Sequence, residues 1–439
     1  MTRSIGLPLI LPGLLLAVSA HAQQPAAPEP QPVRIEPVRA AEQLLASGRI
    51  DEARMQLLAL EAERPADLQV QFLLGLIAVQ EKRYDDAIKR FHRILVTEPD
   101  NVRVRLELGR AYFLAGNYGD AERQFRFARA GNLPPMALAN IDRFLLQIRQ
   151  LKRFSRSISI AVAPDSNLNA GPSTDAITLY GLPFELSGDA RRNSGVGLAL
   201  GASMAWTAPV APGTKIRAGL ELQRSQYGKT EFDDMTLSAY AGVSRTFTRW
   251  DLSLLPLIQR RWYGDRTYMN AWGGMVSANW YPATRTAISA NVTLLRRDYP
   301  RSGYQDGFGY DLGLGWRYTP TTSSLVGLNA GYGHQDAQDK PYAWHSKRVG
   351  AFYAREFKGG LTASIAPSFT MIDYEKALDA FGVRREDRQS TAQLTLLYRK
   401  IDIHGFTPRL SYTFTHNASN LPLYRFDRSR FELGITSAF

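Results

Sequence analysis

From about Ser157 to the end, the chain alternates apolar and polar residues in segments of roughly ten. Turn residues separate the segments and no helical stretch interrupts them. Along Phe308–Tyr318 the even positions are bulky and apolar, while the odd positions are Gly, Asp or Arg. Ile216, Ala218, Leu220 and Leu222 stand in the same way against Lys215, Arg217, Glu221 and Gln223. Phe406, Leu410, Tyr412 and Phe414 stand against Thr407, Arg409, Ser411 and Thr413. Successive side chains of a strand point to opposite faces, so each segment offers one face to hydrocarbon and one to water. Trp206, Trp250, Trp272, Trp280, Tyr281, Tyr318 and Tyr398 fall near segment ends, where aromatic girdles of a membrane barrel lie. Fourteen strands can be placed, from 157–163 and 194–207 through 404–417 and 425–439. The even count suits a closed transmembrane antiparallel β-barrel. Short connections such as 208–212, 248–249, 281–283, 319–321, 358–360 and 404–405 predict the inner side. Longer polar ones, such as 335–342 and 374–387, predict the outer side.

The first third has a different period. Gly48-Arg49-Ile50-Asp51-Glu52-Ala53 returns as Lys82-Arg83-Tyr84-Asp85-Asp86-Ala87 and as Gly116-Asn117-Tyr118-Gly119-Asp120-Ala121, with the alanines 34 residues apart. Leu74-Gly75 recurs as Leu108-Gly109, Phe91 as Phe125, and Pro65 as Pro99. That spacing is the signature of the tetratricopeptide helix-turn-helix unit. It predicts an all-α repeat domain with helices at 38–47, 50–64, 68–81, 84–97, 102–115 and 118–130, closed by a helix at 135–153. Small residues let paired helices approach, and Pro65 and Pro99 stop the second helix of a unit. The pattern puts Gln69, Phe72, Leu76, Val79, Arg103, Leu106, Arg110 and Phe113 on a concave, client-binding groove. Docking of the repeats onto the barrel is the alternative use of these helices.

The remaining features bound the class. Residues 1–22 have a basic start, an apolar middle and Ala20-His21-Ala22, the form of a signal peptide. A Pro-rich linker fills 23–37, the repeats 38–153 and the barrel 157–439. Beyond the N-terminus no apolar run is long enough for a helical membrane span. With no cysteine and six histidines that show no ligand spacing, no metal and no cofactor is expected. Gly228-Lys229-Thr230 lacks the upstream glycine of a phosphate loop, and no catalytic arrangement stands out, so the chain reads as a non-enzyme. Between 157 and 439 there are 31 basic and 24 acidic residues, +7 within a total of +12. Strand parity turns Lys215, Arg217, Glu221, Asp311, Arg317, Arg409, Arg430 and Glu432 into a wet lumen of mixed sign. The last strand ends in Phe439 and shares its parity with Phe431, Leu433 and Ile435, as an insertion signal for outer-membrane barrels would.

Two stretches add a resemblance: Ala163-Pro164-Asp165-Ser166-Asn167-Leu168-Asn169, after the first strand, and the run from Asn417 to Gly434 near the end. With the repeats and the barrel, they resemble the surface lipoprotein assembly modifier family. The resemblance implies an outer-membrane translocator that moves client proteins, typically surface lipoproteins, from periplasm to cell surface. Soluble secreted clients are the other class it implies; outer-membrane lipid, from the basic balance, and periplasmic chaperones are further expected partners, and nucleic acid is not. Two alternatives stay open on the residues alone. One is an exopolysaccharide exporter, which would carry a longer repeat array; the other is a passive porin, in which the repeats would be dispensable.

Overall fold

The computed structural model describes residues 36–151, 153–401, 403 and 405–437. The expected signal segment, nearly all of the Pro-rich linker and the terminal Phe439 lie outside the described residues. Seven helices come first: α1 (Pro37–Ala46), α2 (Ile50–Glu63), α3 (Leu68–Gln80), α4 (Tyr84–Thr97), α5 (Val102–Leu114), α6 (Tyr118–Arg129) and α7 (Pro135–Leu151). The 34-residue pattern explains their packing. Ala53, Ala87 and Ala121 are fully buried where helices cross. A Cβ on Gly75 would stand 2.6 Å from the Phe91 ring, and one on Gly109 3.0 Å from Phe125. The glycine of one helix is the seat for the phenylalanine of the next. Asp67 caps α3 through the amides of Gln69 and Val70, and Asn101 caps α5 through that of Val104.

Sixteen strands follow: β1 (Phe154–Asp165), β2 (Ala176–Leu179), β3 (Leu182–Glu185), β4 (Gly195–Ala211), β5 (Thr214–Tyr227), β6 (Asp234–Thr246), β7 (Trp250–Tyr263) and β8 (Arg266–Ala283). Then come β9 (Thr286–Asp298), β10 (Gly307–Tyr318), β11 (Ser324–Gln335), β12 (Trp344–Glu356), β13 (Leu361–Leu378), β14 (Val383–Tyr398), β15 (Thr407–Ser419) and β16 (Phe426–Thr436). All except β2 and β3 form one closed antiparallel barrel of fourteen strands, with β16 pairing back onto β1. Its apolar side chains face out: Leu314 is 63% exposed and Leu433 65%. Trp250 stacks on Trp280 at 5.4 Å and Trp316 on Tyr318 at 5.8 Å toward the inner ends, and Tyr310 lies 6.2 Å from Tyr332 toward the outer ends. Closure leaves no unpaired edge, and the greasy band between aromatic rims makes this an outer-membrane barrel, with the helices on its periplasmic side.

Two expectations are corrected, and one element is new. The stretch 374–387 is not a loop: β13 and β14 pair on through it, past a bulge between Asp373 and Ala377, and only 379–382 turn. Its polarity misled because strands that rise above the membrane meet water on both faces. The outer connections are also not uniformly long, since β7 and β8 are joined by Gly264 and Asp265 alone, both at φ 57°. The new element is the β2–β3 hairpin inside the 166–194 loop; the Tyr180 amide donates to the Ala380 carbonyl, 2.8 Å away, and the Ser173 amide to the Arg425 carbonyl, 3.0 Å away. That loop therefore lies across the outer ends of β13–β16.

Candidate client-handling surfaces

The repeat groove is smaller than the sequence pattern predicts. Phe72 and Val79 are each 4% exposed and belong to the core, with Phe72 tilted against Phe91 at 5.9 Å. Leu76, Leu106 and Phe113 are half-buried, the last covered edge-on by Phe144 of the closing helix. Gln69, Arg103 and Arg110 are exposed. Gln69 donates to Glu42 at 2.6 Å, and Arg103 lies over the Phe72 ring at 4.6 Å. What stays accessible of the predicted set is Gln69, Arg103 and Arg110, beside the half-buried Leu76, Leu106 and Phe113.

The barrel meets the helices on another face. On α5, Arg103, Leu106, Arg110 and Phe113 fall on one side, and Arg105 and Tyr112 lie about a third of a turn round from its middle. Arg105 is fully buried; it donates to the Pro99 carbonyl at 2.9 Å and to Gln124 at 3.0 Å, and pairs with Glu356 at the inner end of β12. Arg399, in the β14–β15 connection, stands 3.6 Å from the other oxygen of Glu356. Around this pair, Thr322 donates to Asp100 at 2.8 Å, the Gly359 amide to the Val96 carbonyl at 2.6 Å, and Arg126 lies over the Tyr281 ring. His92 shares a 2.6 Å hydrogen bond with the Tyr112 hydroxyl beside them. Desolvation pushes its pKa down to about 3, with Arg123 and Arg399 adding to the effect.

Inside the barrel a polar chamber of about 680 Å³ is lined by Glu221, Asp234, Arg261, Arg409, Arg430 and Glu432, among others. Its charges are paired along the wall. Arg409 reaches Glu432 at 2.9 Å, Arg430 reaches Glu432 at 3.1 Å, and Arg261 grips Asp234 through two bonds of 2.9 and 2.6 Å. Asp311 stands 3.7 Å from both Arg297 and Arg348. Arg217 donates to Ser253, 3.3 Å away. Lys215 is buried near the inner end of β5, whereas Arg317 is exposed near that of β10.

The two family-like stretches meet at the closing seam. The β1–β16 ladder runs from Ser159↔Thr436 to Val162↔Leu433 and resumes only at Asp165↔Arg430. Pro164, with no amide hydrogen, sits in the gap. Above it side chains take over. The Asp165 carboxylate is fully buried and receives two bonds from Arg428, at 3.0 and 2.6 Å. The Ser166 amide donates to the Ser429 carbonyl, the Ser429 amide to the Ser166 hydroxyl, and Asn167 to the Asp427 carbonyl. Parity assigns the lumen but not this latch, nor Arg105 and Glu356. The visible signal for Arg105 was the 34-residue register itself, in which Gln71 becomes Arg105 and Arg90 becomes Gln124.

Comparison with known proteins follows the same division. Residues 154–439 match the family model described as surface lipoprotein assembly modifier, and 38–95 and 78–126 match tetratricopeptide repeat models. The chain is similar to surface lipoprotein assembly modifier 1 of Haemophilus influenzae, 23% identical over 83% of this chain and 76% of the relative. It is similar to surface lipoprotein assembly modifier 1 of Neisseria meningitidis, 25% identical over 81% and 73%. A third relative is the hemophilin secretion modulator of Acinetobacter baumannii, 21% identical over 84% and 78%.

Proposed function

The chain belongs to the surface lipoprotein assembly modifier family, and from that premise we propose that it moves client proteins, surface lipoproteins first among them, from periplasm to cell surface. The repeats capture the client and the barrel gives it passage. The observation that carries this reading is the division of labour on α5. Arg105 ties the helix to the barrel, while Arg103 and Arg110, on the far side, stay exposed. A repeat array that only braced the barrel would have no need of a second face. A wall of paired opposite charges suits transient contact with a polypeptide, since no single sign holds it. The name of the Acinetobacter relative makes a soluble secreted protein the second client class. The family match favours a protein over a polysaccharide, and the buried joint between repeats and barrel counts against a porin with dispensable repeats.

The test is reconstitution of the full chain in proteoliposomes with a candidate surface lipoprotein supplied inside. External protease should reach the client only when the chain is present. Arg103→Glu together with Arg110→Glu should cut that exposure about tenfold, the scale of 1.4 kcal/mol, with the barrel still folded. Equal exposure from vesicles without the chain, or no response to the double charge reversal, would remove the proposal.

A further inference from the structure

Three side chains that are remote in the sequence converge at the outer rim of the barrel. His334 near the end of β11 and His345 near the start of β12 are direct cross-strand partners. Both share the face of Leu328 and Val349, which are exposed on the lipid side. Their rings stack with centroids 4.4 Å apart. Glu375 comes from the bulged part of β13, where the break in register swings it sideways, and its amide bonds the Ala343 carbonyl at 2.9 Å. One carboxylate oxygen of Glu375 then lies 3.4 Å from His345 Nε2 and 4.0 Å from His334 Nδ1. One nitrogen from each ring and a carboxylate oxygen all fall within 4.8 Å of one another.

We propose that His334, His345 and Glu375 bind a divalent transition-metal ion of the zinc class at the outer membrane interface. Tetrahedral zinc with bonds of about 2.0–2.2 Å sets its ligand atoms roughly 3.4 Å apart. The His345–Glu375 separation already has that value, and His334 needs only a small ring movement. Two further observations point the same way. His334 Nδ1 is shielded from solvent and has no hydrogen-bond partner, a cost that a metal bond removes. His345 Nδ1 is held by the Tyr332 hydroxyl at 2.9 Å, which leaves Nε2 to face the carboxylate and fixes the ring as second-layer partners of metal-bound histidines do. Lys340 stands 3.7 Å from the other oxygen of Glu375 and 2.5 Å from Asp336. Two imidazoles and one carboxylate favour zinc or its neighbours over calcium or magnesium, which take oxygen ligands. A bound ion would tie β11, β12 and β13 together where the connecting turn lifts away from the ladder. Its fourth position would open toward the lipid headgroups.

The experiment uses the full chain in detergent, purified without a histidine tag, stripped with chelator and titrated with Zn2+ and with Co2+. One equivalent of zinc should bind, and Co2+ should give the intense visible absorption of four-coordinate cobalt. His334→Ala with His345→Ala should abolish both signals, Glu375→Gln should abolish stoichiometric binding, and Tyr332→Phe should weaken it about tenfold. His416→Ala, a histidine paired with Asp427 on a different wall, should bind as the parent does. Heat-modifiable gel migration reports that each barrel is folded. Equal zinc uptake by the parent and the double histidine variant, or only the pale spectrum of six-coordinate cobalt, would overturn the proposal.

Discussion

Two neighbouring repeats make the same contact with their residues exchanged. In the second, Arg90 on α4 donates to Gln71 on α3 at 3.0 Å, and its charge is met by Glu61 on α2 at 2.7 Å. That pairing holds the Glu61 carboxyl below its usual range. In the third, the arginine is Arg105 on α5 and the glutamine is Gln124 on α6, again 3.0 Å apart. Gln71 and Arg105 both reach back to a proline carbonyl, Pro65 and Pro99, that ends the preceding helix. The residue 34 after Glu61 is Leu95 on α4, so the helix before the third repeat offers no acid at that place. The third repeat finds one in the barrel, at Glu356. The repeat keeps its internal hydrogen bond and turns its charge outward. A joint between two folds is thereby written into a repeat without disturbing the repeat.

Removing the acid on each side gives the largest contrast. Glu356→Ala strands Arg105 in a fully buried position, and breaking a buried pair from one side costs about 3–5 kcal/mol. The helices should undock: amides of α5 and α6 should exchange hydrogen faster, while the barrel keeps its heat-modifiable migration. Glu61→Ala acts on a pair that retains some exposure, so it should cost nearer 1 kcal/mol and leave the joint protected. Equal loss of protection in the two variants would erase the distinction between the repeats.

A sharper test keeps composition constant. Arg105→Gln with Gln124→Arg restores the arrangement of the second repeat and moves the charge onto α6. The internal hydrogen bond should survive, and the joint should lose the charged bonds to Glu356, roughly 1.5–3 kcal/mol. The mirror change, Gln71→Arg with Arg90→Gln, should leave docking as it is. If the first exchange protects α5 as well as the parent does, the placement of the arginine is not what makes the joint.

How much of this was legible follows from what each pattern records. Alternation and the 34-residue period record which solvent each face meets, so all fourteen barrel strands and seven helices came out near their places. The pattern cannot say where a strand leaves the membrane, because above it both faces are wet; hence the misread of 374–387. It also could not separate groove from core on α3, where nearly every residue is apolar and Phe72 and Val79 turn inward. Parity could put Arg409, Arg430 and Glu432 on one face together because a strand has only two faces. Asp165 with Arg428, and His334 with His345 and Glu375, depend on which strands become neighbours and on a bulge. Neither is written in any local period.

Per pH unit, the smallest effect is the one that tests whether the joint between repeats and barrel responds to pH. His92 on α4 faces Tyr112 and Arg105 from α5, Arg123 from α6, Glu356 from β12 and Arg399 from the β14–β15 connection. Desolvation lowers its pKa most, the three cations add to that and the one carboxylate opposes it, so the value falls from 6.5 to about 3. The docked state therefore binds this proton less readily than the undocked one. The contribution of His92 is complete above pH 6.5 and is lost as pH falls toward 3. One proton limits the slope to about tenfold in the docking equilibrium per pH unit. Protection of α4 and α5 should decline from pH 6.5 downward, and His92→Gln, which keeps a polar partner for Tyr112 but cannot take the charge, should flatten that part of the curve. The first repeat carries at the corresponding place, 34 residues earlier, Leu58 on α2, so its internal contacts should show no such step. A decline of the same slope in His92→Gln would assign the sensitivity to Glu356 and remove the histidine from it.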